Sequence, residues 1–277
     1  MTNRQPWLDP MRRRLILDPI VNDERSVSGT RLGKQPGWIF QHAIGGGQAD
    51  FDQWIENLSP RDRVMLYALF NQKAHIDELI HAFDKLLVDL EIFQDATVID
   101  IGCGPYTAGL ALANVVGSRA VYRYFGIDRA LSMCAFAEEL AAEVRALGEL
   151  DERTEISFHQ EIDVIDFGRR RGTQVTVFIL SYLLASDTID VDTLVAEIDR
   201  ASKRVGLGPT VLLYTNSARE EARAAYPKFK KLMVDAGFTE HIEAKETFAD
   251  SDKLREIHYA LYVRRATLTI PIAEFRI

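Results

Sequence analysis

Apolar side chains recur at steps of three and four through Ile76, Leu79, Ile80, Phe83, Leu86, Leu87 and Leu90. That spacing predicts a helix with one continuous apolar stripe, docked on something larger. Upstream, Ser59 followed by Pro60 marks an N-cap and first turn, with Asp62 well placed near the positive helix end. Residues 50–92 therefore read as a helical cap, and residues 1–49, broken by Pro6, Pro10, Pro19, Pro36 and Gly45-Gly46-Gly47, as an irregular N-terminal arm. From Ala96 the pattern becomes an alternation of β-rich and helical runs. Strands are predicted at 97–101, 120–127, 155–159, 174–180 and 211–214, and helices at 108–116, 131–147, 191–204 and 219–236. Glycines 117, 148, 206 and 237 stop the helices. The run 174–180 is apolar and β-branched, as in a strand buried on both faces. Residues 239–248 and 258–264 carry no helical pattern between them and predict an antiparallel pair. The fold class is α/β: a doubly wound seven-stranded sheet, mostly parallel with one antiparallel strand near the C-terminus, occupying residues 93–277 behind an N-terminal helical extension.

Charge separates the arm from the body. The chain has 277 residues and a formal net charge of −8. Its first fifty residues hold seven basic and five acidic side chains, so the remainder carries −10. Such a body repels a polyanion at long range, which leaves RNA open only through the basic arm and tilts the choice of partner toward a small molecule or a protein. Arg12-Arg13-Arg14 reads first as a solvated or acid-paired run. Two cysteines, Cys103 and Cys134, make neither a disulfide framework nor a metal cluster and read as small packing residues. His75 and His81 stand six residues apart, the wrong step for a shared metal, and read as packing residues; no metal site is predicted. No apolar run is long enough to span a bilayer and none opens the chain, so the expectation is a cytoplasmic protein with no membrane partner.

The chemistry concentrates in Asp100-Ile101-Gly102-Cys103-Gly104-Pro105-Tyr106-Thr107, where the first strand ends and a helix begins. Ligands of open α/β sheets bind beyond the carboxyl ends of strands, at the switch in strand order. Gly102 and Gly104 allow a sharp turn and close approach of a ligand to the backbone. A dinucleotide fingerprint would place a third glycine at Thr107 and would not place a carboxylate at Asp100, which repels a pyrophosphate. A cofactor with a cation near the turn is favoured by that carboxylate instead, and S-adenosyl-L-methionine carries an ammonium and a sulfonium. Asp128 ends the second strand in Phe125-Gly126-Ile127-Asp128, where a carboxylate can accept both hydrogen bonds of a ribose diol.

On Val98–Pro105, on Phe125–Asp128 and on the terminal hairpin, residues 96–265 resemble the class I S-adenosylmethionine-dependent methyltransferase family. The resemblance implies a Rossmann-like methyltransferase domain over 93–277. It also implies S-adenosyl-L-methionine as cofactor, with Asp100, Gly102 and Gly104 around its methionine part and Asp128 at its ribose; Cys103 and Arg129, beside them in the chain, are counted among the cofactor-binding residues. An acid after the third strand, Glu161 or Asp163 with Asp163 preferred, falls at the adenine, and Ser181 at the end of the fourth strand. Tyr106 stands where many members have glycine, so its ring either covers the methionine end or crowds the cofactor out. Tyr182 and Tyr106 are the residues expected to line the methyl site. Leu180-Ser181-Tyr182-Leu183-Leu184 replaces the Asn/Asp-Pro-Pro-Tyr of amino-directed nucleic-acid methyltransferases, and no cysteine stands there for pyrimidine C5 chemistry. The implied reaction is methyl transfer by in-line displacement to an unidentified acceptor, which needs alignment more than a triad or a metal. The alternative is a catalytically inactive methyltransferase-like binding or assembly protein. Trp38, His42 and Gly45–Gly47 precede the cap and read as either a lid over the acceptor or a connector.

Overall fold

The structure, a computed structural model, describes residues 3–86, 90–168, 174–249 and 254–266; Leu87 of the apolar stripe and the chain beyond 266 lie outside them. Seven strands form one sheet: β1 (Thr97–Ile101), β2 (Arg123–Ile127), β3 (Glu155–His159), β4 (Thr176–Ser181), β5 (Thr210–Ser217), β6 (Thr239–Ala249) and β7 (Leu254–Arg264). Their order is β3-β2-β1-β4-β5-β7-β6. The first five run parallel, and β7 is antiparallel to both β5 and β6. This is the arrangement that the resemblance to class I methyltransferases implies. The winding reverses between β1 and β4, which opens a crevice at their carboxyl ends.

Alternation along the strands assigns the two faces. Val98, Tyr124, Val177 and Leu213 enter one core; Ile99, Phe125, Phe178 and Leu212 enter the other. The helices, in chain order, are α1 (residues 8–21), α2 (residues 36–43), α3 (residues 60–86), α4 (Thr107–Val116), α5 (Leu131–Ala146), α6 (Val191–Val205) and α7 (Tyr226–Asp235). Side chains of α1 to α5 fill the first core, and those of α6 and α7 the second. No helix among the described residues is long and apolar enough to cross a membrane.

Two predicted features differ in the structure. Residues 1–49, read as irregular from their prolines, include α1 and α2, and Leu8, Met11, Ile16, Ile20 and Ile39 are almost wholly buried. The prolines sit where a helix tolerates them: Pro10 and Pro36 lie in first turns, and Pro19 follows the widened π-helical turn at Arg13–Leu17. The predicted helix 219–236 is instead a short turn at Glu221–Arg223 followed by α7, because Pro227 fits only a first turn. The basic triplet is engaged within the fold. Arg12 is buried and hydrogen-bonds Gln72 and the Ala68 carbonyl, Arg13 pairs with Asp18, and Arg14 pairs with Glu143.

Ser59 caps α3 reciprocally: its hydroxyl accepts from the Asp62 amide at 3.1 Å and its amide donates to the Asp62 carboxylate at 3.0 Å. Mid-way, α3 widens to a π-helical turn at Ala68–Gln72. Arg12 supplies a donor to the Ala68 carbonyl there, at 2.9 Å. The widened turn places Gln72 so that its amide donates to the Pro105 carbonyl at 2.7 Å, tying the cap directly to the glycine turn after β1.

Candidate active site

The glycine turn lies at one end of a cavity of about 880 Å³ above the β1/β4 crevice. Gly102 and Gly104 line it, with φ of +75° and +52°. A Cβ on Gly102 would stand 3.0 Å from Leu183 Cδ1, so both conformation and space require glycine there. Asp100 is placed behind this lining, on the last turn of β1. It is buried; one carboxylate oxygen accepts the Tyr124 hydroxyl, and Oδ1 has no hydrogen-bond partner. Desolvation pushes its pKa up to about 7, opposed by the Tyr124 hydrogen bond and reinforced by Asp128. Cys103 is also buried behind the turn, its thiol directed to the Gly104 carbonyl and its pKa raised by burial.

Tyr106 is neither in the methionine end nor over the methyl site. Its ring is fully buried, packed edge-on to Tyr124 at 5.1 Å and Phe158 at 5.5 Å. The backbone explains the direction: Tyr106 takes a left-handed conformation at the start of α4, φ 62° and ψ 30°, which turns its side chain into the core. Gly109 makes the space, since a Cβ there would overlap the ring. The residue over the turn is Tyr67 of α3, whose Cε1 lies 3.8 Å from where a Gly104 Cβ would be.

Asp128 faces the cavity opposite the turn. Its two oxygens accept the Gly104 and Ala130 amides, both at 3.0 Å, and each keeps a lone pair for a ligand. Burial raises its pKa against those two bonds. Neither Asp100 nor Asp128 forms a salt bridge among the described residues; the charge of Asp128 adds to the cost of ionising Asp100, while Arg129 eases and Asp52 adds to that of Asp128. Arg129 and Gln160 line the same end, and the Gln160 amide donates to the Arg129 carbonyl at 2.9 Å. Asp163 does not reach the cavity; it is exposed and pairs with Arg200 and Arg204. Gln160, three residues earlier, takes the position at the rim. Ser181 lines the cavity from β4 and accepts the Thr215 hydroxyl at 3.0 Å.

The far end of the cavity joins Tyr182, expected at the methyl site, to His75 and Glu78, which the sequence pattern did not mark as functional. His75 of α3 stacks on Tyr182, ring centroids 3.9 Å apart and planes at 18°. The Tyr182 hydroxyl bonds Glu78, and burial raises its pKa strongly. His75 sits on the same α3 whose stripe reads as packing; only its place three residues before Glu78 hints at a second, polar face. Segment 45–52 closes the mouth. Gln48 donates to the Ala185 carbonyl at 2.8 Å and accepts the Asp187 amide at 3.3 Å. Asp52 accepts the Leu131 and Ser132 amides at 2.9 and 2.8 Å, capping α5, whose own N-cap Ala130 has no capping side chain.

The residues at the turn fit S-adenosyl-L-methionine. Asp100 holds an orphaned, buried carboxylate oxygen directly behind the turn, and the glycines leave a cradle that a Cβ on Gly102 would fill. Asp128 keeps acceptor capacity for a diol.

No protein-family model matches the chain, and no curated protein matches it significantly. Solved structures do resemble it. A SAM-dependent methyltransferase from Leishmania major is 13% identical, covers 72% of this chain and 77% of that one, and has a TM-score of 0.46. A SAM-dependent methyltransferase from Methanosarcina mazei is 17% identical, with 63% and 94% covered and a TM-score of 0.43. The N-methyltransferase NodS from Bradyrhizobium japonicum is 14% identical, with 68% and 96% covered and a TM-score of 0.43. At such identities and scores these likenesses assign no role to any residue of this chain.

Proposed function

We propose that this chain is an S-adenosyl-L-methionine-dependent methyltransferase. The observation that carries the reading is a pair of buried carboxylates, Asp100 and Asp128, set at neighbouring strand tips with no salt bridge to either among the described residues; the charge of Arg129 offsets only part of the cost of burying Asp128. Two desolvated acids side by side are costly, and a ligand bearing positive charge relieves that cost. The donor, when bound, supplies an activated methyl on sulfur and a neutral leaving group. Gly102 and Gly104 give its methionine end close access to the backbone. Asp128 accepts the ribose hydroxyls, with Arg129 and Gln160 at the rim. Asp100 acts through the turn as a buried acid that the cationic donor draws into its ionised form, rather than as a contact. Ser181 and Tyr182 bound the methyl site from the end of β4, and Gln48 and Asp52 hold the closing segment that keeps water out.

The non-catalytic alternative rests on Tyr106, on the imperfect acid after the third strand and on the absent acceptor motif; the burial of the Tyr106 ring removes the first ground, while Asp163, turned away from the cavity, leaves the second in place. Isothermal calorimetry with S-adenosylmethionine and S-adenosylhomocysteine tests the reading. Binding of both is expected, and binding of neither at millimolar concentration defeats it. Titration with NAD and NADP serves as the contrast; the acidic turn predicts no heat.

A further inference from the structure

The half of the cavity beyond the glycine turn has no part in holding the donor. Its wall is aromatic, with Phe40, Phe70, His75 and Tyr182, and the exposed Leu254 stands at its rim. His75 is fixed there by its stack on Tyr182, itself held at the hydroxyl by Glu78. Neither ring nitrogen of His75 makes a hydrogen bond among the described residues, although the residue lines the cavity. Burial, aided by Arg255, lowers its pKa to about 4, so near neutrality the ring is uncharged and one nitrogen carries a lone pair. The volume of about 880 Å³ lies toward the upper end of the roughly 300–1,000 Å³ typical of small-molecule pockets. Gln48 bridges to Ala185 and Asp187 across the mouth, and the volume has room for a nucleoside-sized donor and a small second ligand.

Resting on the donor reading above, we infer that the acceptor is a small ring-bearing molecule with a hydroxyl group, and that His75 is the catalytic residue that accepts its hydrogen bond and then its proton. The acceptor's lone pair forms the new bond to the methyl carbon as the bond from that carbon to sulfur breaks, its electron pair staying on sulfur. The proton on the acceptor atom grows acidic as that atom is alkylated and passes to His75, then to water. The alkylated oxygen is a far stronger acid than the imidazolium, so even a weakly basic imidazole takes its proton, and the nearby Arg255 favours onward release to water by disfavouring the imidazolium.

The test uses the full chain saturated with S-adenosylhomocysteine and two probes of like shape, 4-nitrophenol and nitrobenzene, at mildly acidic pH where the first is a neutral phenol. The wild-type protein is expected to bind 4-nitrophenol about tenfold more tightly, the upper range for one hydrogen bond. His75→Phe keeps a stacking ring and is expected to abolish that preference while leaving the affinity for S-adenosylhomocysteine unchanged. In the unmutated protein, the imidazole nitrogen resonances of His75 should move with 4-nitrophenol and not with nitrobenzene, a signature that needs no variant to fold. Equal affinity for the two probes, a preference that survives His75→Phe, or binding of neither probe beside bound S-adenosylhomocysteine overturns the inference and leaves the donor reading standing. Failure of S-adenosylhomocysteine to bind overturns both.

Discussion

Asp128 is the single side chain on which donor affinity should depend most. Its oxygens are already oriented by the Gly104 and Ala130 amides, so ligand hydroxyls meet a prepaid geometry. Hydrogen bonds to a charged group contribute about 1.5–3 kcal/mol each. Asp128→Ala is therefore expected to weaken S-adenosylhomocysteine binding by more than tenfold in calorimetry, with secondary structure retained by circular dichroism. Gly102→Ala acts differently. At φ +75°, with Leu183 Cδ1 3.0 Å from the added carbon, it should cost about 1–3 kcal/mol of stability. A fall in Tm of about 2–4 °C per kcal/mol would be read by differential scanning calorimetry. A Tm equal to wild type would mean that the turn is not strained by a side chain. Both residues stand out in the sequence because turn glycines and strand-end acids carry their function in their type. Tyr106 shows where such reading stops. A tyrosine in place of glycine is visible, but the direction of its ring is set by a left-handed backbone, and the clue lay in Gly109 one helical turn on.

At the scale of elements, the glycine turn is held from outside its own βα unit. Gln72 is wholly buried and donates to the Pro105 carbonyl, and Arg12 of α1 fixes the amide from the other side. Gln72→Ala leaves that carbonyl and the Arg12 guanidinium short of partners, which costs about 1–3 kcal/mol. Urea unfolding should show that loss, and donor affinity should fall as well because the turn loses its brace; a variant that lost stability alone would confine Gln72 to a packing role. Asp52 is the comparable device at α5. Burial pulls its pKa up, but the Ser132 and Leu131 amides outweigh it and hold it below the usual carboxylate range. Its contribution is thus present above the unfolded value of about 3.9 and lost as pH falls through the lower, folded value. Asp52→Asn keeps a capping oxygen but loses the charge, and should be less stable than wild type at neutral pH by about 0.3–1 kcal/mol, with the gap closing in acid. Neither link was legible beforehand. Propensity and periodicity describe a residue and its helix neighbours, whereas Gln72 to Pro105 and Asp52 to Ser132 join segments 33 and 80 positions apart. The β1-to-β5 alternation was legible because burial on both faces imprints itself on consecutive residues. The helices of the first fifty residues were not, because their prolines mask a pattern that only docking against the sheet makes stable.

For the molecule as a whole, the buried acids couple folding, pH and ligand. Asp100 has its pKa raised to about 7, mainly by desolvation. The free protein therefore holds a proton there that the unfolded chain releases near pH 4, and stability attributable to Asp100 is full below that value and lost as pH rises toward 7. Asp128 shifts in the same direction, while burial keeps Cys103 and Tyr124 protonated throughout. A cationic donor reverses the balance by favouring the ionised carboxylate. Its binding should release a proton below pH 7, and its affinity should climb with pH by at most tenfold per unit, about 1.4 kcal/mol, before levelling off. Calorimetry of S-adenosylmethionine in two buffers of different ionisation enthalpy counts that proton. Asp100→Asn keeps the shape and an acceptor for the Tyr124 hydroxyl but cannot ionise, so both the proton release and most of the pH slope should vanish. A variant with the wild-type slope would move the charge that draws the donor away from Asp100 and onto Asp128, which alone of the two reaches the cavity.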